Sequence, residues 1–364
     1  MNGSRLRVSN EAKRVKSLRK QQKSVESLSL FILILSISGL MISACSSQPA
    51  DCAREDIFCV GLVTAFDGVD DHGLNQSAWE TLQSIEAPAQ IARLDMIESV
   101  DTRDWQKNII FFAEGGYDVI VTVGREIGGD MVAVAARYPQ TLFVGLDQEL
   151  EEEYSNVATI HFPEEQAGFL AGMLAAMITE ADEVGAVCET SGIEAVWRYC
   201  EGFRTGAVYE RDDVHVSVTY RDNESSSNTF NDPDWGEGRA LSLIDNGVDV
   251  LSGFGGRTLE GALLAASEKG ILVIGTEDDL YYALPDVQPV LVTSLINDPS
   301  VQLSQIVILA HQGEFSNGPH AGQIALAPFR MPKFETAIEI QSAMDMAIQM
   351  IRKGEIEIDI PKQK

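Results

Sequence analysis

The 364-residue sequence lacks the patterns that mark most cofactor sites and catalytic centres. It contains no G-x-G-x-x-G and no G-x-x-x-x-G-K-[ST], which excludes the dinucleotide fingerprint and the P-loop. It contains no G-x-S-x-G elbow and no H-E-x-x-H. Histidine is scarce and scattered, at positions 72, 161, 215, 311 and 320, and the five cysteines form no close CxxC pair, so zinc is not expected. No cofactor and no enzymatic activity are expected. Basic charge is also sparse beyond the N-terminus. Residues 1 to 44 hold 8 Lys/Arg against 2 Asp/Glu, and the remainder holds 19 against 53, a net of −34 within an overall −28. Such a body repels nucleic acid and anionic lipid surfaces, and solubility is the plain reason for its acidity.

No apolar run reaches the roughly 20 residues of a membrane-spanning helix. The longest is LSLFILILSISGLMISAC, residues 28 to 45, behind a basic segment. A positive n-region, an apolar h-region and a small-residue cleavage site form an export signal. The tetrad Ile42-Ser43-Ala44-Cys45 resembles a bacterial lipobox, which implies cleavage before Cys45 and acylation of its sulfur. An uncleaved anchor is the alternative, and the long n-region leaves room for a downstream start codon. Residues 45–56 read as a polar tether. A lipid on Cys45 would hold the protein at the cell membrane from outside. The remaining Cys52, Cys59, Cys188 and Cys200 are an even set in an oxidising compartment. Local pairing, Cys52–Cys59 and Cys188–Cys200, is one of three connectivities, and free thiols remain open.

What the mature chain has is a regular alternation. Apolar runs such as CVGLVTA (59–65), YDVIVTVG (117–124), TLFVGLD (141–147), NVATIHF (156–162), EVGAVCE (183–189), VHVSVTY (214–220), VDVLSGF (248–254), ILVIGTE (271–277) and PVLVTSL (289–295) read as parallel strands covered on both faces. Helical stretches at 164–179, 240–247 and 259–270 separate some of them, the last two ending in glycine. The expected fold class is α/β, two doubly wound lobes of about five strands each. Ligands in such folds sit beyond the carboxyl ends of the strands, which selects the segments AFDGVDD, GREIGG, HFPEE, GFGGRT, GTEDD and SLIND.

Within these, Asp70 and Asp71 follow a strand and precede a helix, where capping is commoner than hydrolytic chemistry. Gly255 and Gly256 either let a ligand approach backbone amides or simply make a βα turn. Phe230, alone in the polar loop ESSSNTFNDPDWG, is a stacking platform or a local anchor.

Several segments, taken in order, resemble the basic membrane protein family of bacterial lipoproteins, the purine nucleoside receptor A-like solute-binding proteins. They are VGLVTAFDGVDDHGLNQSAWETL, IESVDTRDWQKNI, YDVIVTVG, NVATIHFPEEQAGFLAGMLAAMIT, FNDPDWGEGRALSLIDNGVDVLSGFGG, VIGTEDD and VLVTSLIND, with LAPF (326–329) in the tail. The resemblance implies a type I periplasmic-binding fold with a hinge, an interlobe cleft for a nucleoside or similar small polar ligand, and an ABC permease and ATPase as partners of a monomer. It implies that Asn75 lies at the ligand, that Phe230 stacks on the base, that Gly255 and Gly256 turn beside it, and that Glu277 stands for an aspartate gripping ribose hydroxyls. Five departures bear on specificity. Ala65 replaces an aspartate, with Asp67 two residues on; Leu74 replaces a phenylalanine; Asn297 replaces a lysine; Arg125 and Arg257 replace uncharged residues. The two arginines either meet a carboxylate or phosphate on the ligand or pair with local carboxylates, and a different solute, anionic or sugar-like, is the alternative ligand. Lobe 1 is expected at 57–162 plus 295–313, and lobe 2 at 163–294 plus 314–364. A ligand sensor signalling to a membrane receptor would use the same cleft.

Overall fold

A computed structural model describes residues 51–330, apart from 55, 65–67 and 151, and residues 337–363. Cys45, Ala65 and Asp67 lie outside the described residues. Twelve strands are present among those described. The first five are β1 (Cys59–Val63), β2 (Arg93–Ile97), β3 (Val119–Val123), β4 (Leu142–Leu146) and β5 (Val157–His161). The next five are β6 (Glu183–Cys188), β7 (His215–Tyr220), β8 (Val250–Phe254), β9 (Leu272–Glu277) and β10 (Leu291–Asp298). Two short strands follow, β11 (Gly318–Ala321) and β12 (Gln323–Leu326).

They form two six-stranded sheets, in the orders β11-β5-β4-β3-β1-β2 and β12-β10-β9-β8-β6-β7. Every pairing is parallel except β10 with β12. Strands β1, β3 and β8 are buried along their whole length, which is why they read as unbroken apolar runs. Edge strand β2, RLDMI, is only half-buried and carries two charges, so no apolar run betrays it.

The connecting helices are α1 (Leu74–Ser84), α2 (Thr102–Glu114), α3 (Gly128–Ala135), α4 (Glu164–Ile178), α5 (Glu194–Glu210), α6 (Pro233–Asp245), α7 (Gly256–Lys269), α8 (Leu280–Ala283), α9 (Ser300–His311) and α10 (Ala337–Arg352). Their ends follow capping chemistry. Asp101 accepts from Arg103 N at 2.9 Å at the start of α2, Asp232 accepts from Trp235 N at the start of α6, and Gly270 closes α7 in the left-handed region. Helix α6 starts at Pro233, seven residues before the apolar stretch that marks it in the sequence.

The chain passes between the sheets three times. It leaves the first after β5, returns after β10 through α9, which packs on α1, and leaves again between β11 and β12. Relative to the expected divisions at 295 and 313, β10 stays in the second sheet through Asp298, and Gly318–Ala321 pairs in the first. At the last crossing Gly322 lies against the ring of Phe162, the residue at the first crossing. A Cβ there would overlap that ring, so two crossings pack face to face only because one is glycine. The structure joins Cys52 to Cys59 and Cys188 to Cys200, tying the tether to β1 and the end of β6 to α5.

Helices α4 and α5 pack backbone to backbone. A Cβ on Gly168, Gly172 or Gly206 would overlap a carbonyl oxygen of the facing helix, at Tyr199, Phe203 and Phe169 respectively. Close-packed interiors do not absorb such an addition. Gly172→Ala is therefore expected to destabilise the protein by about 1–3 kcal/mol or more through overpacking, read as a lower denaturant midpoint with an unchanged slope. An unchanged midpoint would show that the helices can separate freely.

Candidate functional site

Parallel strands present their carboxyl ends on one side of each sheet, and the sequence-selected segments stand there. Of the six non-glycine residues with left-handed backbone among those described, Glu277 (φ 67°) lies in one of these segments, while His72 (φ 54°), just past AFDGVDD, Asp147 (φ 56°), just past β4, and Phe230 (φ 60°), in the loop after β7, lie outside them. Such conformations persist only where the surroundings enforce them, and they concentrate at functional sites.

In the turn after β1, Asp71 gathers the start of α1. Its carboxylate accepts from the backbone of Gly73 at 2.9 Å, Asn75 at 3.1 Å and Gln76 at 3.0 Å, and from Asn75 Nδ2 at 2.7 Å. Helix N-termini leave these donors unpaired, and the aspartate satisfies them. Asn75 is thereby fixed and almost fully buried. The same turn touches the second lobe. The His72 ring stacks on Tyr282 with centroids 4.4 Å apart, and the His72 carbonyl accepts from Asp279 N at 3.4 Å. Arg330 holds Asp279 through two bonds of 2.8 and 2.7 Å.

Glu277 ends β9 among other charges. Burial, then Asp147 and Asp278, push its carboxyl up to about 8, with Arg125 opposing and Glu164 adding to the rise. No described residue donates a hydrogen bond to it. Arg125, after β3, bonds both carboxylate oxygens of Asp147 at 3.1 and 3.2 Å and reaches Glu164 Oε1 at 3.2 Å. Asp147 belongs to the first lobe and Glu164 opens the first helix of the second, so one guanidinium spans both. Burial raises the Glu164 carboxyl as well, against the pull of its own backbone N–H and then of Arg198 and Arg125. Arg198 of α5 bonds Glu165 Oε2 at 2.7 Å through Nε.

Phe230 is set by a buried ion network. Glu189, fully buried beyond β6, accepts from Phe230 N at 2.9 Å, Thr258 Oγ1 at 2.8 Å and Arg221 Nη1 at 3.2 Å. Arg221, also buried, bonds Asp232 Oδ2 at 3.0 and 2.8 Å and the Ser225 carbonyl at 3.0 Å. Each charge is paired and hydrogen-bonded, as burial demands. The Phe230 carbonyl in turn accepts from Arg257 N at 3.0 Å.

Gly255 and Gly256 pack under this loop. A Cβ on Gly255 would sit 3.2 Å from Glu189, and one on Gly256 would sit 3.1 Å from the Phe230 carbonyl. Their smallness serves the loop directly. Asn297, on β10 one residue past the partner of Glu277, makes no side-chain hydrogen bond with any described residue. Of the two arginines, Arg125 pairs with carboxylates, while Arg257 is exposed and forms no ion pair among the described residues. The sequence reading singled out none of Glu189, Arg221, Asp147 and Glu164, although its segment HFPEE contains Glu164. Their one available signal was a charged residue directly after a strand, at 147, 189 and 221, or opening a helix, at 164. Among the described residues no group of three or more His, Cys, Asp or Glu is arranged to hold a metal, and no helix is long and apolar enough to cross a membrane.

A sequence profile of the Bmp family, ABC transporter substrate-binding proteins of the PnrA-like type, matches residues 58–323. The chain belongs to the Bmp family. It is similar to the CD4+ T-cell-stimulating antigen of Listeria innocua, 28% identical over 68% of this chain and 73% of that one. It is also similar to the ABC transporter nucleoside-binding protein BmpA of Lactococcus lactis, 26% identical over 61% of this chain and 64% of that one. Among solved structures it resembles an ABC transporter solute-binding protein from Conexibacter woesei, with TM-score 0.65, 20% identity, and coverage of 83% of this chain and 99% of the other. A second, from Aeropyrum pernix K1, has TM-score 0.60, 22% identity, and coverage of 84% and 94%. The fold is thus the type I solute-binding fold. A Bmp-family protein is an extracytoplasmic substrate-binding protein, with a small-molecule ligand and an ABC permease as its implied partners.

In this Bmp-family cleft the ionisation of Glu277 should be visible in stability. A carboxyl whose folded pKa is raised binds its proton more tightly when folded, so its contribution is full below about pH 4.5 and is lost as pH rises to about 8. In ligand-free protein, Glu277→Gln should match the wild-type melting temperature at pH 5 and exceed it by about 5 °C at pH 9. Parallel profiles for the two proteins would show that Glu277 ionises normally.

Proposed function

We propose that this protein captures a nucleoside or a similar small polar solute between its two lobes and presents it to an ABC importer, held at the membrane by a lipid on Cys45. The observation that carries the reading is Phe230, an aromatic on a polar loop, held in left-handed backbone by the buried Glu189–Arg221–Asp232 network. An aromatic face fixed in this way costs little further ordering when a base stacks on it, and such a contact contributes about 1–3 kcal/mol. The role of Asn75 is to donate or accept at the base or sugar from the buried start of α1. Glu277 accepts ribose hydroxyls, or donates one bond when protonated. Asn297, with its amide uncommitted among the described residues, is available to the same ligand. Asp67 takes the place of the aspartate absent at Ala65. Support also comes from relatives, one of which is named a nucleoside-binding protein.

Ligand capture in a two-lobed fold is a hinge closure. The contacts of His72 with Tyr282 and Asp279, and of Arg125 with Glu164, join the lobes and would form on closing.

The decisive measurement is a thermal-shift and calorimetric panel of nucleosides, sugars and organic acids. At least one nucleoside should bind saturably, and Phe230→Ala should weaken that binding by tenfold or more, about the worth of one stacking contact. A panel in which no nucleoside binds would overturn the ligand assignment. Anchoring is tested separately by fractionating cells that express Cys45→Ser. The variant should leave the membrane fraction, and its retention there after signal cleavage would contradict lipid attachment.

A further inference from the structure

Beside the Glu277 cluster the two lobes enclose a chamber of about 300 Å³. It continues, past Glu149, His161 and Arg198, into a second cavity of about 360 Å³ along the residues after β4. Four carboxylates line the first chamber, those of Asp147, Glu149, Glu164 and Glu194, against the two guanidiniums of Arg125 and Arg198. Both guanidiniums are already committed. Arg125 is engaged by Asp147 and Glu164, and Arg198 by Glu165 and Glu164. Glu149 and Glu194 are exposed and have no ion pair of their own among the described residues. Helices α4 and α5 both begin here, and each brings about half a positive charge. Their first-turn residues Glu164, Glu165 and Glu194 offset that charge.

A second observation is independent of the charge balance. Glu164 is 92% buried by its 8% exposure, yet its Oε2 accepts no hydrogen bond, and Arg198 Nε stands 3.6 Å from it. Buried acceptors in native proteins nearly always have a donor. In the adjoining cavity Gln148 Oε1 is likewise buried without a donor. A ligand for this place therefore supplies donors and positive charge, and an anionic one would find the guanidiniums occupied.

We propose that the chamber is the subsite for a protonated amine, so that the solute is an amine-bearing cation or carries such a group beside its neutral part. An ammonium is a compact charge with three donors and no acceptor, which matches an under-satisfied carboxylate oxygen flanked by two free carboxylates. Ile193 and Ala195 in the wall take up the adjoining methylenes. The net −34 of the chain beyond residue 44 then concentrates cations at the cleft mouth.

The inference rests on reading the interlobe cleft as the solute site, and the test separates the two. The probe is 1,4-diaminobutane, titrated calorimetrically into the purified protein at low and moderate salt, alongside adenosine and inosine. The expected result is saturable one-to-one binding that weakens with salt. It should weaken more than tenfold in Glu164→Gln and about fivefold in the rim variant Glu149→Gln/Glu194→Gln, whose exposed side chains can be changed without touching the core. Asp212→Asn/Glu268→Gln removes the same charge elsewhere on the surface and should bind as the wild type does. Diamine binding without nucleoside binding supports the chamber and overturns the nucleoside reading. Nucleoside binding without diamine binding overturns the chamber and leaves the function standing. Equal loss in the distant control variant overturns it too, because the binding is then diffuse. Binding of neither probe overturns it together with the cleft reading.

Discussion

The arrangement of the cleft hangs on where Glu164 is held. It is the first residue of α4 and the first helical residue after the chain leaves the first lobe, and it receives Arg125 from that lobe. Its position is not free to adjust. Helix α4 lies against α5 with glycines at each backbone contact, so the two helices move as one piece. That piece carries Glu164, Glu165 and Arg198 to the boundary between the lobes. An ion pair across the boundary is therefore presented by a rigid element on one side. On the other side Arg125 is oriented by both oxygens of Asp147. A long, flexible arginine loses considerable rotamer entropy when it is fixed. Here two bonds within its own lobe fix it before the third, to the other lobe, is made.

The same economy of motion governs the other side of the cleft. Phe230 is half-buried and packed against the edge of the core, with Glu189 and Arg221 buried beneath its loop. Replacing Arg221 would strand the buried Glu189 without a counter-charge, a change worth several kcal/mol, whereas the loop itself is polar. The stability of the platform thus lies in the residues behind it. Glu277 is the counter-example. It stands among carboxylates with no hydrogen-bond donor among the described residues, and its raised pKa records stability given up at the strand end. A group kept in such a state is either tuned for protonation or completed by something that binds.

How much of this could be read from the sequence depends on the range of the interaction. Eight of the nine strands read from the sequence were legible because strands covered on both faces are continuous apolar runs, and the ninth, the half-buried edge strand β7, because of its β-branched residues. Strand β2 was not, because an edge strand carries Arg93 and Asp95, and β11 and β12 are four residues each, formed only because the crossings bring them to a sheet edge. The start of α6 was hidden because its first turn, Pro233 to Gly236, is polar and announces itself by capping rather than by periodicity. Among site residues, Asn75, Phe230 and Glu277 drew attention through local context and a family resemblance. Glu189 and Arg221 could not, since their meaning lies in a pairing across 32 residues of chain, and nothing local separates them from the many other acidic and basic side chains.

The departures from the family pattern then take on a direction. Leu74, where the resemblance calls for a second aromatic, opens α1 and is partly buried against the core, so the packing accounts for it without a ligand. Arg125, where the resemblance calls for an uncharged residue, brings a cation into the cleft, but it arrives already bonded to Asp147 and Glu164. Adding it therefore does not make the cleft receptive to anions. It makes a tight charge cluster whose carboxylates outnumber its cations, and it ties that cluster to both lobes. A substitution that at first sight suggests a phosphate or carboxylate ligand has, once its partners are known, the opposite electrostatic sense. The identity of a charged residue in a cleft says little until its neighbours have been counted.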